Sequence, residues 1–175
     1  MILSDGYIKL RAVEITDADC LLGMINSPEI ESSVVGWSFP VASKDQIDWI
    51  NSIKNDSCVR YTIDINNEAV GLVIISAIDF KNSTANISVK LSDDCPKRKG
   101  IGSKAVKLIQ KYCFYELNLN CLTANILEYN IASQKTFEKC GFSKDAVLRK
   151  RIFKNGRYLD LYVYSILRDE YNGDW

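Results

Sequence analysis

The stretch ANISVKLSDDCPKRKGIGSKAVKLIQKY, residues 85–112, decides how this chain is read. Its opening alternates on Ile87, Val89 and Leu91, the period of a strand. From Gly100 the period changes, and Ile101, Ala105, Leu108, Ile109 and Tyr112 follow helical spacing as far as about Leu117. The loop KRKGIGSKA (97–105) joins the two. Gly100 and Gly102 let backbone N–H groups approach a ligand closely, and the helix start adds a positive dipole end. Lys97, Arg98 and Lys99 add cationic side chains. Such a loop is an anion cradle, and a pyrophosphate is its obvious guest.

Several known glycine motifs compete for this loop. A P-loop is excluded, because G-x-x-x-x-G-K-[ST] cannot be written across it. Gly100-x-Gly102-x-x-Ala105 matches the letters of a dinucleotide fingerprint. Yet the loop lies roughly eight residues past its strand and follows an antiparallel meander, whereas the fingerprint opens a βαβ unit in a tight turn. A solvated basic turn that caps a helix is the plain alternative. A nucleic-acid contact is disfavoured by the neutral charge balance and the lack of aromatic partners.

Working outward, Tyr7, Ile8 and Leu10 lead to Arg11 in a short strand. Thr16 or Asp17 caps a helix carrying Cys20, Leu21, Leu22, Met24 and Ile25, with Pro28 just past its end. Residues 31–42 show no period and read as a loop. Ser43 and Gln46 make a capping box ahead of Ile47, Trp49, Ile50 and Ile53, which predicts a helix with Trp49 in the core. RYTIDI (60–65), VGLVIISAI (70–78) and ANISVKL (85–91), separated by Asn66-Asn67 and Asn82-Ser83, form an antiparallel meander. CLTANIL (121–127) is a further strand, and residues 131–140 make a short helix that ends at Gly141. VLRKRIF and YLDLYVYSI, joined at Asn155-Gly156, are a β-hairpin. With no internal repeat or linker, residues 1–175 read as one α+β domain.

Composition narrows the chemistry. The 175 residues suit about one domain, and 47% hydrophobic with 25% charged residues is a globular mix. Lys plus Arg and Asp plus Glu each number 22, so the surface is not built for nucleic acid or an anionic membrane. There is no histidine, which excludes Ser-His and Cys-His catalysis. Carboxylates, hydroxyls, thiols, lysines and backbone amides remain. The cysteines (20, 58, 95, 113, 121, 140) make no CxxC, so no metal site is expected. They fit reduced thiols in a cytoplasmic protein, with Cys113 and Cys121 as small buried hydrophobes. The N-terminus lacks the pattern of a signal peptide, and no run reaches 18 apolar residues, so no membrane partner is expected.

The arrangement strand, Lys97-Arg98-Lys99-Gly100-Ile101-Gly102, helix resembles the [Gln/Arg]-x-x-G-x-[Gly/Ala] acyl-CoA signature of the GNAT superfamily of N-acetyltransferases, with lysine in the first place. Asn130-Ile131-Ala132-Ser133 followed by Phe137-Glu138-Lys139-Cys140-Gly141-Phe142 resembles that family's N-x-x-S and E-K-x-G-F segment. GRYLDLYVYSI is similar to a strand in the branches that acetylate ribosomal-protein N-termini, polyamines and amino sugars. The order of elements agrees over nearly the whole chain.

The resemblance implies a mixed, mostly antiparallel central sheet flanked by helices, acetyl-CoA as co-substrate, and acetyl transfer to a primary amine on a small molecule or peptide. It implies that main-chain groups of Val89, Lys90 and Leu91 pair with the pantetheine amides, one of them facing the thioester oxygen. Backbone amides of Lys97, Arg98, Lys99, Gly100, Ile101, Gly102 and Ser103 hold the pyrophosphate. Asn130 bonds the pantetheine arm and also caps a helix. Many relatives carry a tyrosine acid where Phe137 stands, so Ser133 is the candidate acid near the sulfur. Many also carry glutamate where Asn86 stands. Asp79, Glu31 and Tyr129 are candidate replacements for that base, and none is assigned. The segment 29–42 forms an acceptor wall on which Glu31 and Trp37, with Glu29, suit a cationic or sugar-bearing amine. Exposed sheet edges make a homodimer reasonable. A non-catalytic acyl-CoA-binding relative is the second reading.

Overall fold

The structure, a computed structural model, describes residues 1–36, 39–54, 56–97 and 99–173. The Asn66-Asn67 turn has both residues in left-handed backbone, φ 55° and 68°, and turns β3 (Val59–Ile65) directly into β4 (Glu68–Asp79). The Asn82-Ser83 turn leads from β4 into β5 (Thr84–Leu91). The meander is extended by β1 (Leu3–Ser4), which the sequence pattern did not announce, and β2 (Lys9–Arg11). On the other side stand β6 (Cys121–Leu127) and the hairpin of β7 (Ser143–Lys154) and β8 (Arg157–Leu167). The eight strands run in the order β1-β2-β3-β4-β5-β6-β8-β7. Every pairing is antiparallel except β5 with β6.

Alternation along the strands divides the core into two layers. Val73 and Ile75 of β4, with Ala85 and Ile87 of β5, pack beneath α4 (Ile101–Tyr115), which contributes Ala105, Val106, Ile109 and Phe114. Phe137 of α5 (Ile131–Glu138) joins this layer. Leu72 and Ile74 face the other way, toward α1 (Ala18–Asn26), α2 (Pro28–Ser33) and α3 (Ser43–Asn51). A strand inserted between two helical layers must be apolar on both faces, which is why VGLVIISAI shows no polar alternation.

Several local expectations change. Pro28 does fall just past the end of α1, but it also opens a further helix, α2, with Ser27 as N-cap accepting from the N–H of Ile30. The residue fits because a first-turn N–H is unpaired in any case. Residues 31–33 are therefore helical. Ser43 and Gln46 make no capping box: Ala42 is the N-cap of α3, and Gln46 is buried. Trp49 is only half-buried, with the Arg60 guanidinium 5.7 Å from its ring centroid, and Ile47 is exposed. Cys113 is buried as expected and Cys121 half-buried; all six cysteines are free thiols.

Asp17 precedes α1 without capping it, because its carboxylate is engaged in the interior. Arg11 donates from both terminal nitrogens to Asp17 at 2.8 Å and from Nε to Asp64 at 2.8 Å. Thr62 Oγ1 adds a bond of 2.8 Å to Asp17. Burial by itself would raise the Asp17 carboxyl, but the guanidinium, the Glu14 N–H and the Thr62 hydroxyl outweigh it and hold it below the usual carboxylate range. This cluster fastens the first helical layer to β2 and β3.

Candidate active site

The parallel pair β5–β6 is registered only from Thr84–Cys121 to Asn86–Thr123. Asn86 Nδ2 donates to Thr123 Oγ1 at 3.2 Å where the pairing stops. Beyond it β5 runs on to Leu91 and β6 to Leu127 unpaired with each other, and a cleft of about 930 Å³ opens between them. The edge of β5 toward β6 thus has no strand partner from Ile87 onward, and its main-chain groups face the cleft. Val89, Lys90 and Leu91 are in that stretch.

At the open end of β5 the chain turns into α4 through Gly100, whose φ of +68° strains any other residue. Gly100 is the N-cap and has no side chain with which to cap the helix. The N–H groups of Ile101, Gly102 and Ser103 are therefore the unsatisfied donors of a first turn, lining the cleft with the helix dipole behind them. Lys97 and Lys99 are exposed at the same rim. A Cβ built on Gly102 would meet Thr136 Cγ2 at 3.6 Å and Leu91 Cδ1 at 3.9 Å, so glycine leaves a gap between α4, α5 and β5. Unpaired strand edge, free helix donors and this gap fit an extended thiol ester ending in a pyrophosphate. Arg98 lies outside the described residues, and so does Trp37.

The α5 side of the cleft is set by Asn130. Its Oδ1 accepts from the N–H of Ser133 at 3.0 Å, the expected N-cap, and its Nδ2 donates to the Ser33 carbonyl at 2.8 Å. Ser133 is half-buried and lines the cleft, and its hydroxyl has no hydrogen-bond partner among the described residues. Phe137 is buried edge-on against Phe142, with centroids 5.0 Å apart, and offers no proton.

None of the three candidate bases reaches the cleft as a free group. Asp79 accepts from the Asn82 N–H at 2.9 Å and from its Nδ2 at 2.6 Å in the β4–β5 turn. Glu31, expected on the acceptor wall, turns instead to Lys154, whose Nζ lies 2.5 Å from Glu31 Oε1 and 2.7 Å from the Glu31 carbonyl. Tyr129 donates its hydroxyl to the Ser32 carbonyl. Its phenol is pushed up by burial and by the Glu31 carboxylate, so it stays protonated. Lys154, Tyr129 and Asn130 thereby bond three successive carbonyls at the C-terminus of α2, of which the first also accepts from the Val34 N–H at 3.4 Å. Lys154, 7% exposed, escaped the sequence reading because no local pattern links it to a residue 123 positions away.

Two exposed carboxylates also line the cleft, Glu29 of α2 and Asp93 just after β5; the Ser27 hydroxyl, with one proton to give, lies 3.2 Å from Glu29 Oε2 and 2.8 Å from Asp93 Oδ2. Lys90, on the same cleft, is half-buried, and burial pushes its ammonium below the ordinary lysine value. Among the described residues no helix is long and apolar enough to cross a membrane.

A family model of the acetyltransferase (GNAT) domain matches residues 8–143. The chain belongs to the GNAT family of N-acetyltransferases, whose co-substrate is acetyl-CoA. It is 30% identical over 171 residues to the uncharacterized N-acetyltransferase p20 of Bacillus licheniformis, covering 95% of this chain and 96% of that protein. It is 28% identical to the spermidine N(1)-acetyltransferase of Escherichia coli K12 over 119 residues, 68% of this chain and 63% of that protein. The fold superposes on spermidine N-acetyltransferase from Vibrio cholerae, solved with CoA and spermine, with a TM-score of 0.87 at 22% identity, over 97% of this chain and all of that one. The ribosomal L7/L12 N-acetyltransferase RimL, solved with CoA, gives 0.87 at 18% identity, over 97% of this chain and 99% of that one.

Proposed function

We propose that this chain moves an acetyl group from acetyl-CoA directly to a primary amine held in the same cleft, without an acetylated enzyme. The observation that carries this reading is the parting of β5 from β6, which leaves one continuous opening reached from both helical layers. The co-substrate supplies an acetyl thioester. Main-chain groups of Val89, Lys90 and Leu91 align it along the β5 edge, and an N–H there donates to the thioester oxygen as its charge grows. The N–H groups of Ile101, Gly102 and Ser103, with Lys97, Arg98 and Lys99, hold the pyrophosphate. Asn130 keeps α5 and α2 in register and has a further amide hydrogen for the pantetheine arm.

Ser133 donates a hydrogen bond to the departing sulfur, which takes up, through water, the proton that the attacking nitrogen sheds, so that the serine stays neutral. A thiol with a pKa of about 8.5 leaves readily, so a weak acid suffices. The acceptor, whose ammonium has a pKa of about 10.4, must lose a proton before attack. With Glu31 paired and Asn86 in place of a carboxylate, that proton passes to water in the open cleft. Positioning then supplies most of the rate. The chain acts in the cytoplasm as one domain, and the exposed β7 edge suits a homodimer.

Phe137 and Asn86 favour a second reading, a module that binds acyl-CoA without turning it over. The test is thiol release from acetyl-CoA with a panel of primary amines, with acetylated product confirmed by mass. Amine-dependent release supports transfer, whereas acetyl-CoA binding with no release from any amine favours the module.

A further inference from the structure

Alternation along β5 sends Ile87, Val89 and Leu91 toward the α4 layer and Asn86, Ser88 and Lys90 toward the α2 layer. Asn86 is spent on Thr123. The hydroxyl of Ser88 and the ammonium of Lys90 have no hydrogen-bond or ion-pair partner among the described residues, and both line the cleft. A lysine withdrawn from water ordinarily finds a carboxylate. None of the acids here forms an ion pair with Lys90: Glu31 is held by Lys154, and the exposed Glu29 and Asp93 share the one proton of the Ser27 hydroxyl. One half-buried cation is therefore left without an ion-pair partner among the described residues, open toward the cleft that the acceptor must enter.

We propose that Lys90, with Ser88 beside it, receives a carboxylate on the acceptor, so that the substrate is an amine that also carries an acid group, a free amino acid or a peptide. This rests on the acetyltransferase reading above. An incoming carboxylate gives the ammonium the counter-ion it lacks and fixes the amine at a set distance from it. A polyamine would instead bring a second cation to Lys90 where water screens poorly, and like charges there repel. The lowered proton affinity of Lys90 agrees with a charge that has no partner until substrate arrives.

The experiment compares thiol release at saturating acetyl-CoA for putrescine and γ-aminobutyrate, which present the same amine on chains of equal carbon number. Spermidine is added as a polycation, and glycine and glycylglycine separate a free amino acid from a peptide. The wild type is expected to prefer γ-aminobutyrate over putrescine by about tenfold or more in kcat/KM, a ratio that cancels differences common to both acceptors. Lys90→Glu is expected to invert the preference and Lys90→Met to flatten it; the second variant decides should the first fail to fold. Faster release with either glycine or glycylglycine supports the assignment if that rate also falls in Lys90→Met, and names the source of the carboxylate. A wild-type preference for putrescine or spermidine, or an unaltered ratio in Lys90→Met, overturns it. Release with no amine at all, with acetyl-CoA still bound, overturns the acetyltransferase reading and takes this assignment with it.

Discussion

The two walls of the cleft are built in opposite ways. On the α4 side the ligand-facing groups are main chain and contiguous: the unpaired edge of β5, then the first-turn N–H groups of α4. On the α2 side the wall is held by side chains from far along the sequence. Lys154 reaches Glu31 across 123 residues, and Tyr129 and Asn130 reach Ser32 and Ser33 across 97. A main-chain donor is deleted only by proline; any other substitution can only block it. A side-chain staple can be cut by a single change. The α4 wall should therefore tolerate most substitutions and fail abruptly at its glycines, while the α2 wall should loosen by degrees.

The largest effect should come from the anchor beneath the α2 layer. Asp17→Asn leaves Arg11 half-paired in a buried site and is expected to cost roughly 3 kcal/mol of stability in chemical unfolding, the usual range for breaking such a pair. The wild-type Asp17 carboxyl titrates below its unfolded value of about 3.9, so its contribution is full above that pH and is lost as pH falls through it toward the folded pKa. The gap between wild type and variant should accordingly close in acid. A gap that stays constant with pH would show that Asp17 acts by packing alone.

Gly102→Val sharpens the contrast on the other wall. Its branched side chain fills the gap beside Thr136 and Leu91, and acetyl-CoA affinity should fall about a hundredfold, near 2.7 kcal/mol, with the thermal midpoint little changed. Lys154→Met cuts the α2 staple. It should raise the acceptor KM about tenfold with a smaller change in kcat, and Lys154→Arg should recover most of it, as expected for loss of positioning rather than of chemistry. An effect on acetyl-CoA affinity as large as that on acceptor KM would break the division between the walls. Ser133→Ala is expected to have the smallest effect, about a fivefold drop in kcat with acetyl-CoA affinity held, since a thiol needs little help to leave. An unaltered rate would return Ser133 to its place in the first turn of α5.

The same division explains what could be read from the residues alone. Gly100, Gly102 and the alternation of Ile87, Val89 and Leu91 are local signals, and a contiguous main-chain site is written in contiguous letters. The Asn66-Asn67 and Asn155-Gly156 turns have left-handed backbone at the asparagines, so their chemistry announces the hairpins. Pro28 misled because the same residue follows one helix and begins the next, and only the tertiary fold distinguishes the two. The capping box at Ser43 and Gln46 matched in spacing, but burial of Gln46 drew its side chain inward. Glu31 looked like a free carboxylate for the acceptor because its partner lies on the last hairpin, and pairing at that separation has no period to reveal it. Lys90 was legible as part of a strand edge, whereas the lack of an ion pair at its ammonium becomes visible only in the folded structure.

Calorimetric titration of the purified, folded protein with acetyl-CoA, with NADH as control, bears most directly on the cleft as the place where an acyl-CoA is held. Micromolar binding of acetyl-CoA, absent for NADH and lost in Gly102→Val, is the expected result. No acetyl-CoA binding by the folded wild type, or equal binding of NADH, would contradict the assignment of the β5 edge and the α4 amides as the co-substrate site.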